Sequence, residues 1–183
     1  VPHILDRHLI PIKAGQALIG LPSLGLHTNG YSLARAVVFD RLNLDLDDKP
    51  ELLGGATLGE ALLAPHKSYL ECTMPLLEEG LVAGMAHITG GGLPGNVNRM
   101  LTDTNAVIDR TSWKTPGLFQ LLVQGGNIER EESYEAFNMG VGLVLAVDAN
   151  QEARAMELLR KAGEEPWHIG HLIAGDGKVL FQD

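Results

Sequence analysis

Only one cysteine, Cys72, occurs among the 183 residues. An internal disulfide is therefore excluded, and the chain suits a reducing compartment. Basic side chains are scarce as well, 14 Lys and Arg against 23 Asp and Glu, for a formal net charge of -9. That sign is wrong for a protein that tracks a nucleic-acid backbone. Long hydrophobic runs are missing too. The longest, over residues 140–147, falls far short of the roughly 20 residues that a membrane helix needs. The start carries no charged-then-apolar secretory leader, and no repeat or low-complexity segment interrupts the chain. What remains is a chain 45% hydrophobic and long enough to close one core. The expectation is a soluble, acidic, cytoplasmic domain with no nucleic-acid or membrane partner.

Short apolar strands alternate with amphipathic helices. Strands are predicted at 17–21, 85–88, 106–109 and 141–147, the last continuously apolar and so expected inside a sheet. Helices are predicted at 31–42, from Leu33, Ala34, Val37, Val38 and Leu42, and at 67–79, where Pro75 should kink or split the helix. Further helices are expected at 94–101, at 116–123 with Pro116 in the first turn, and at 151–162. Thr57 and Glu60 have the spacing of a capping box that opens another helix. Near the end, 167–172 and 178–181 look like two strands joined by a turn at Gly175-Asp176-Gly177. The fold class expected is α/β (α+β): a mixed sheet covered by helices in an α/β/α arrangement. The last third is expected to be partly ferredoxin-like.

Glycine is the one compositional excess, 22 of 183 or about 12%, against about 7% in average proteins. The sharpest cluster is His87-Ile88-Thr89-Gly90-Gly91-Gly92-Leu93-Pro94-Gly95, between a predicted strand and a predicted helix. Bare glycines let a ligand approach the backbone and let successive amides point into one concavity. The following helix should add free N–H donors, and Thr89 a hydroxyl. The reading is an anion cradle; the plainer alternative is a tight turn. Gly90, Gly92 and Gly95 also spell G-x-G-x-x-G, with Asp109 following 19 residues after Gly90. That resembles a dinucleotide fingerprint, but the unit is short and Pro94 truncates its helix, so the match reads as a decoy.

A second polar cluster, Gly25-Leu26-His27-Thr28-Asn29-Gly30-Tyr31-Ser32, also lies at a strand-to-helix turn. His27 could donate to a substrate oxygen or move a proton. Asn29 could bind a ligand or cap the helix beginning near Tyr31, and by itself the cap is the expected role. A third segment, Phe137-Asn138-Met139-Gly140-Val141-Gly142, reads as structural: Asn138 fixing a turn, the glycines allowing close packing. His3, His8 and His66 read as surface or linker residues. His168 and His171 are expected on opposite faces of a strand and so not to share a metal. Cys72, Trp113 and Trp167 read as packing residues, and the acidic run at 129–132 as a solvated helix start.

Taken together, Gly25 to Leu33, Leu63-Ala64-Pro65 with Tyr69, Ala86 to Gly92, Phe137 to Gly142 and Trp167-His168-Ile169-Gly170 resemble the aminoimidazole ribonucleotide synthetase family. This is the phosphoribosylformylglycinamidine cyclo-ligase of purine biosynthesis, and the resemblance is to its C-terminal half. It implies that residues 1–16 link to an N-terminal ATP-binding domain and that 17–183 form the C-terminal synthetase domain. The implied activity is ATP-driven closure of formylglycinamidine ribonucleotide to aminoimidazole ribonucleotide. ATP and Mg2+ would be held mainly by the N-terminal domain, and the full-length enzyme would be a homodimer. By the same resemblance His27 and Asn29 are catalytic. Thr28, His87, Thr89, Gly90, Gly91 and Gly92 bind substrate or its phosphate, and no metal is held. The chain alone is expected not to turn over. The alternatives are a domain of a related ATP-dependent synthetase or kinase (formylglycinamidine ribonucleotide synthetase, selenophosphate synthetase, thiamine-phosphate kinase) and a non-catalytic docking module.

Overall fold

The computed structural model describes residues 11–183. His3, His8 and most of the expected linker lie outside the described residues. In chain order the main elements are β1 (Gln16–Pro22), α1 (Tyr31–Arg35), α2 (Leu58–Leu62), α3 (Leu70–Glu78), β2 (Val82–His87) and α4 (Gly92–Val97). They continue with β3 (Thr104–Asp109), α5 (Gly117–Gly126), α6 (Arg130–Ala136), β4 (Val141–Asp148), α7 (Glu152–Lys161), β5 (Trp167–Ala174) and β6 (Val179–Gln182).

The strands form one mixed sheet in the order β2-β4-β1-β5-β3-β6. Every adjacent pair is antiparallel except β3 and β6, which are parallel. Side chains alternate across a strand, and here both faces are covered. Ala17, Ile19 and Leu21 of β1 join Leu143, Leu145 and Val147 of β4 against α3 and α7, through Cys72, Leu76, Ala155 and Leu159. Leu18, Val144 and Ala146 face the opposite core, with Val37, Leu58, Leu93, Leu122 and Phe137. The expected three layers are present, and the uninterrupted apolar character of β4 follows from burial on both sides. β4 and β5 both pair antiparallel to β1, so β4–α7–β5 is a split strand–helix–strand unit with β1 inserted, the ferredoxin-like part of the fold. Among the described residues no helix is long and apolar enough to cross a membrane.

The capping box at Thr57 and Glu60 is present with both reciprocal bonds. The segment 31–42 is helical, but α1 passes into a π turn over Ala36–Arg41. α3 begins at Leu70, later than expected, and Pro75 neither ends nor splits it. Proline removes one donor, and burial of Cys72, Thr73 and Leu76 on one face outweighs that loss. Pro116 stands before α5 as its N-cap rather than inside the first turn.

The last two strands are not a hairpin, because β3 lies between them. The connecting loop wraps the start of β3, where Asn105 Oδ1 accepts from the amides of Asp176 (2.9 Å) and Lys178 (2.8 Å). His168 and His171 also depart from expectation. A register shift pairs His171 with Ala17 and His168 with Ile19, so the extra residue puts both histidines on one face. His168 Nδ1 lies 2.6 Å from Glu152 Oε1. The G-x-G-x-x-G match is indeed a decoy: β2 and β3 are separated by three strands, so no strand–helix–strand nucleotide unit forms.

Candidate functional site

The glycine loop leaves the end of β2 and is organised by Asn96, a buried residue of α4. Asn96 Nδ2 donates to the carbonyls of Thr89 (3.2 Å), Gly90 (3.3 Å) and Gly92 (2.7 Å). Its Oδ1 accepts from the Thr89 hydroxyl at 3.0 Å. In a trans peptide the carbonyl and the following N–H point in opposite directions. Pulling the Thr89 and Gly90 carbonyls inward therefore turns the Gly90 and Gly91 amides away from Asn96 and outward.

The cradle is smaller than expected. The Gly92 amide is spent on the Thr89 carbonyl at 3.0 Å, and the Thr89 hydroxyl proton on Asn96. α4 is only six residues long and carries Pro94 in its first turn, so its N-terminus adds little. Gly92 needs to be glycine for another reason. Its φ is +57, and a Cβ there would stand 1.8 Å from the Tyr134 carbonyl oxygen.

The second loop is held just as firmly. Asn138 Oδ1 accepts from the Ser23 hydroxyl (2.9 Å) and the Gly140 amide (2.8 Å), while its Nδ2 donates to the Gly25 carbonyl (2.8 Å). The third polar segment is therefore scaffolding, as the sequence suggested. His27 and Thr28 both sit at positive φ, 50 and 64, a costly conformation for side chains other than glycine. The His27 carbonyl accepts from Thr28 Oγ1 (2.6 Å) and from Asn29 Nδ2 (2.7 Å), which compensates locally. Asn29 does not cap the helix; Gly30 occupies that position with no side-chain cap. Instead Asn29 faces the glycine loop, its Oδ1 lying 3.6 Å from where a Cβ on Gly90 would be.

The His27 ring is 1% exposed. Its Nε2 accepts from the amides of Leu24 (3.1 Å) and Lys67 (3.4 Å), so the ring proton resides on Nδ1. That buried Nδ1 has no hydrogen-bond partner among the described residues. Burial, with His66, His87 and Lys67 nearby, pushes the imidazole down to about 4. His27 is thus a neutral hydrogen-bond donor near neutral pH. Gly142 leaves room for it: a Cβ there would meet Tyr69 Oη at 2.0 Å and His27 Cε1 at 2.8 Å.

His66, read from sequence as a surface or linker residue, is exposed but belongs to this site. Its ring stacks on His27 with centroids 4.4 Å apart, and its Nε2 lies 2.9 Å from His87 Nε2. Thr28 Oγ1 is 3.5 Å from His66 Nδ1. Burial and His66 together lower the His87 imidazole below its ordinary value. Tyr69 meets His27 and His87 edge-on and anchors its hydroxyl to the Pro22 carbonyl at 2.8 Å. Lys67 is drawn aside into a 2.6 Å ion pair with Glu164.

The three imidazoles each bring one nitrogen within 4.8 Å of the others, the only metal-capable group of three or more among the described residues. His27 Nε2 is already occupied by amide donors, which favours a hydrogen-bonded cluster over a chelate. Magnesium, which takes oxygen ligands, finds no carboxylate set among the described residues.

The structure thus brings His27, Thr28, Asn29, His87 and the glycine loop to one end of the sheet. Sequence reasoning missed His66 and Asn96. Asn96 lies seven residues past Thr89, and only its type, an amide able to bridge several carbonyls, could have flagged it. Two clefts adjoin the site. One of about 310 Å3 reaches His87 beside Lys67, Tyr69 and Met85; another of about 470 Å3 touches the loop at Gly91, beside Asn98 and Lys178.

Residues 13–183 match the family described as AIR synthase related protein, C-terminal domain. The phosphoribosylformylglycinamidine cyclo-ligase of Lactobacillus delbrueckii subsp. bulgaricus is 44% identical over 171 residues, covering 92% of this chain and 49% of the relative. That of Anaeromyxobacter sp. is 47% identical over 175 residues, covering 95% and 50%. The chain spans about half the length of these relatives. Among solved structures, thiamine-monophosphate kinase from Stenotrophomonas maltophilia superposes with a TM-score of 0.63 at 17% identity, covering 93% of this chain and 51% of the other. T. maritima PurL complexed with FGAR gives 0.54 at 15% identity, covering 88% and 24%. These two likenesses show the fold.

Proposed function

The chain belongs to the AIR synthase-related family as its C-terminal domain, and on that footing we propose that it is the substrate-gripping half of a phosphoribosylformylglycinamidine cyclo-ligase. The observation that carries this reading is the 44–47% identity to cyclo-ligases over 92–95% of this chain. The reaction is ATP-dependent closure of formylglycinamidine ribonucleotide to aminoimidazole ribonucleotide, with ADP and phosphate as the other products. ATP and magnesium fall to an N-terminal half, the complete enzyme being a cytoplasmic homodimer.

Within this half the residues have distinct tasks. The outward amides of Gly90 and Gly91 grip the ribose phosphate, and the shape of the loop is fixed by Asn96. His27 Nδ1–H donates to the formyl oxygen as that oxygen gains charge, and Asn29 Oδ1 orients the amidine N–H groups. Such positioned donors act mainly by being in place before the charge develops. Thr89 and Gly92 serve the loop's shape rather than contact the anion.

The test is reconstitution. This chain combined with an ATP-binding half should form aminoimidazole ribonucleotide from formylglycinamidine ribonucleotide and ATP, and neither half alone should. Turnover by this chain alone, or by the reconstituted pair with thiamine monophosphate or selenide instead, would overturn the reading.

A further inference from the structure

The His66–His87 contact can be assigned a direction. The Thr28 hydroxyl donates its only proton to the His27 carbonyl at 2.6 Å, so toward His66 Nδ1 its oxygen acts as acceptor. His66 then carries its proton on Nδ1, and in the neutral ring its Nε2 is bare. The 2.9 Å contact between the two Nε2 atoms therefore needs the proton on His87. This leaves His87 Nδ1 as a bare, basic nitrogen at the exposed end of β2. Stacking on His27 and the edge of Tyr69 fix the rings. Lys67, which lines the same cleft as His87, is held by Glu164.

We propose that Thr28, His66 and His87 form a relay in which His87 Nδ1 is the base that takes a proton from the attacking N–H of the substrate, with His66 as its positioning residue. This rests on the cyclo-ligase reading. In the step, the amidine N–H bond breaks and its electron pair forms the new C–N bond. The proton passes to His87 Nδ1, and the activated oxygen departs with phosphate, supplied from ATP. The resulting imidazolium keeps its Nε2–H on His66, as in the neutral ring. Burial and the neighbouring His66 lower the His87 imidazole below its ordinary value, which favours the unprotonated form that accepts the proton.

Imidazole 15N spectra of this chain, recorded without substrate, test the relay separately from the reaction. The expected result is His66 as the Nδ1–H tautomer, His87 as the Nε2–H tautomer, and a nitrogen–nitrogen coupling across their hydrogen bond. In Thr28→Ala the His66 tautomer should reverse, while Thr28→Ser should restore it. His66 protonated on Nε2 in the parent chain, or no change in Thr28→Ala, overturns the relay and leaves the cyclo-ligase reading untouched. In the reconstituted enzyme His66→Gln should lower kcat by about 100-fold with KM for the ribonucleotide unchanged. An equal rise in KM with kcat preserved would contradict the base assignment. No turnover even by the parent pair would overturn both the cyclo-ligase reading and the base step built on it, while the tautomers stand on the spectra alone.

Discussion

Replacing Gly92 with alanine is expected to destabilise the chain by about 4 kcal/mol or more, at the extreme of single substitutions. Two causes act together. The φ of +57 disfavours any side chain, and the new Cβ would be pressed to 1.8 Å from the Tyr134 carbonyl oxygen, with the Phe137 carbonyl at 3.0 Å. Both obstacles are backbone, so neither can swing aside. Gly90→Ala makes the contrast. Its nearest neighbour would be Asn29 Oδ1 at 3.6 Å, an ordinary contact, so stability should change by no more than about 0.5 kcal/mol. Urea unfolding of the two variants checks this. Equal destabilisation would mean that the loop is not anchored as described.

The second large effect concerns His27, whose imidazole is held neutral by burial. Its value of about 4 in the folded chain lies below the ordinary 6.5, so the unfolded chain binds the proton more readily between those limits. Stability is therefore fully present above about pH 6.5 and is lost as the pH falls toward 4, by about 3 kcal/mol in all. His27→Gln, which keeps a side-chain acceptor for the Leu24 amide, should flatten that dependence. In the reconstituted enzyme the same variant should reduce kcat by roughly 100- to 1000-fold, as loss of one preorganised oxyanion donor does. Denaturation midpoints at pH 7 and pH 4.5 read the first expectation. An unaltered pH dependence in His27→Gln would show that His27 is not the group responsible.

These two residues also show what a reader of the letters alone can reach. The position of His27 at a strand-to-helix turn is legible because β1 and α1 announce themselves by periodicity, and polar residues between them face the end of the sheet. The run of glycines is equally visible, but its division of labour is not. Gly90, Gly91 and Gly92 look alike in sequence, yet Gly92 is spent on Tyr134 and Thr89, contacts made by α6 and by the loop itself. The place of His66 is not legible in the sequence because its partners come from β2 and the loop after β1, and no local spacing encodes a meeting of three separate segments. The same limit explains β5 and β6. A glycine-rich turn between two apolar runs reads as a hairpin, and only the long-range pairing with β3 rules it out. Likewise the extra residue in β5 reverses the facing of His168 against His171, which a strict two-residue period cannot anticipate.

The central physical claim is that Asn96 turns the Gly90 and Gly91 amides outward to receive a phosphate. Amide spectra of this chain during titration with ribose 5-phosphate measure it most directly. The Gly90 and Gly91 resonances should move downfield together and saturate, Gly92 should stay in place, and Asn96→Ala should abolish the response while the chain remains folded. Unmoved Gly90 and Gly91 amides at saturating ligand, or a response that survives in Asn96→Ala, would contradict the account.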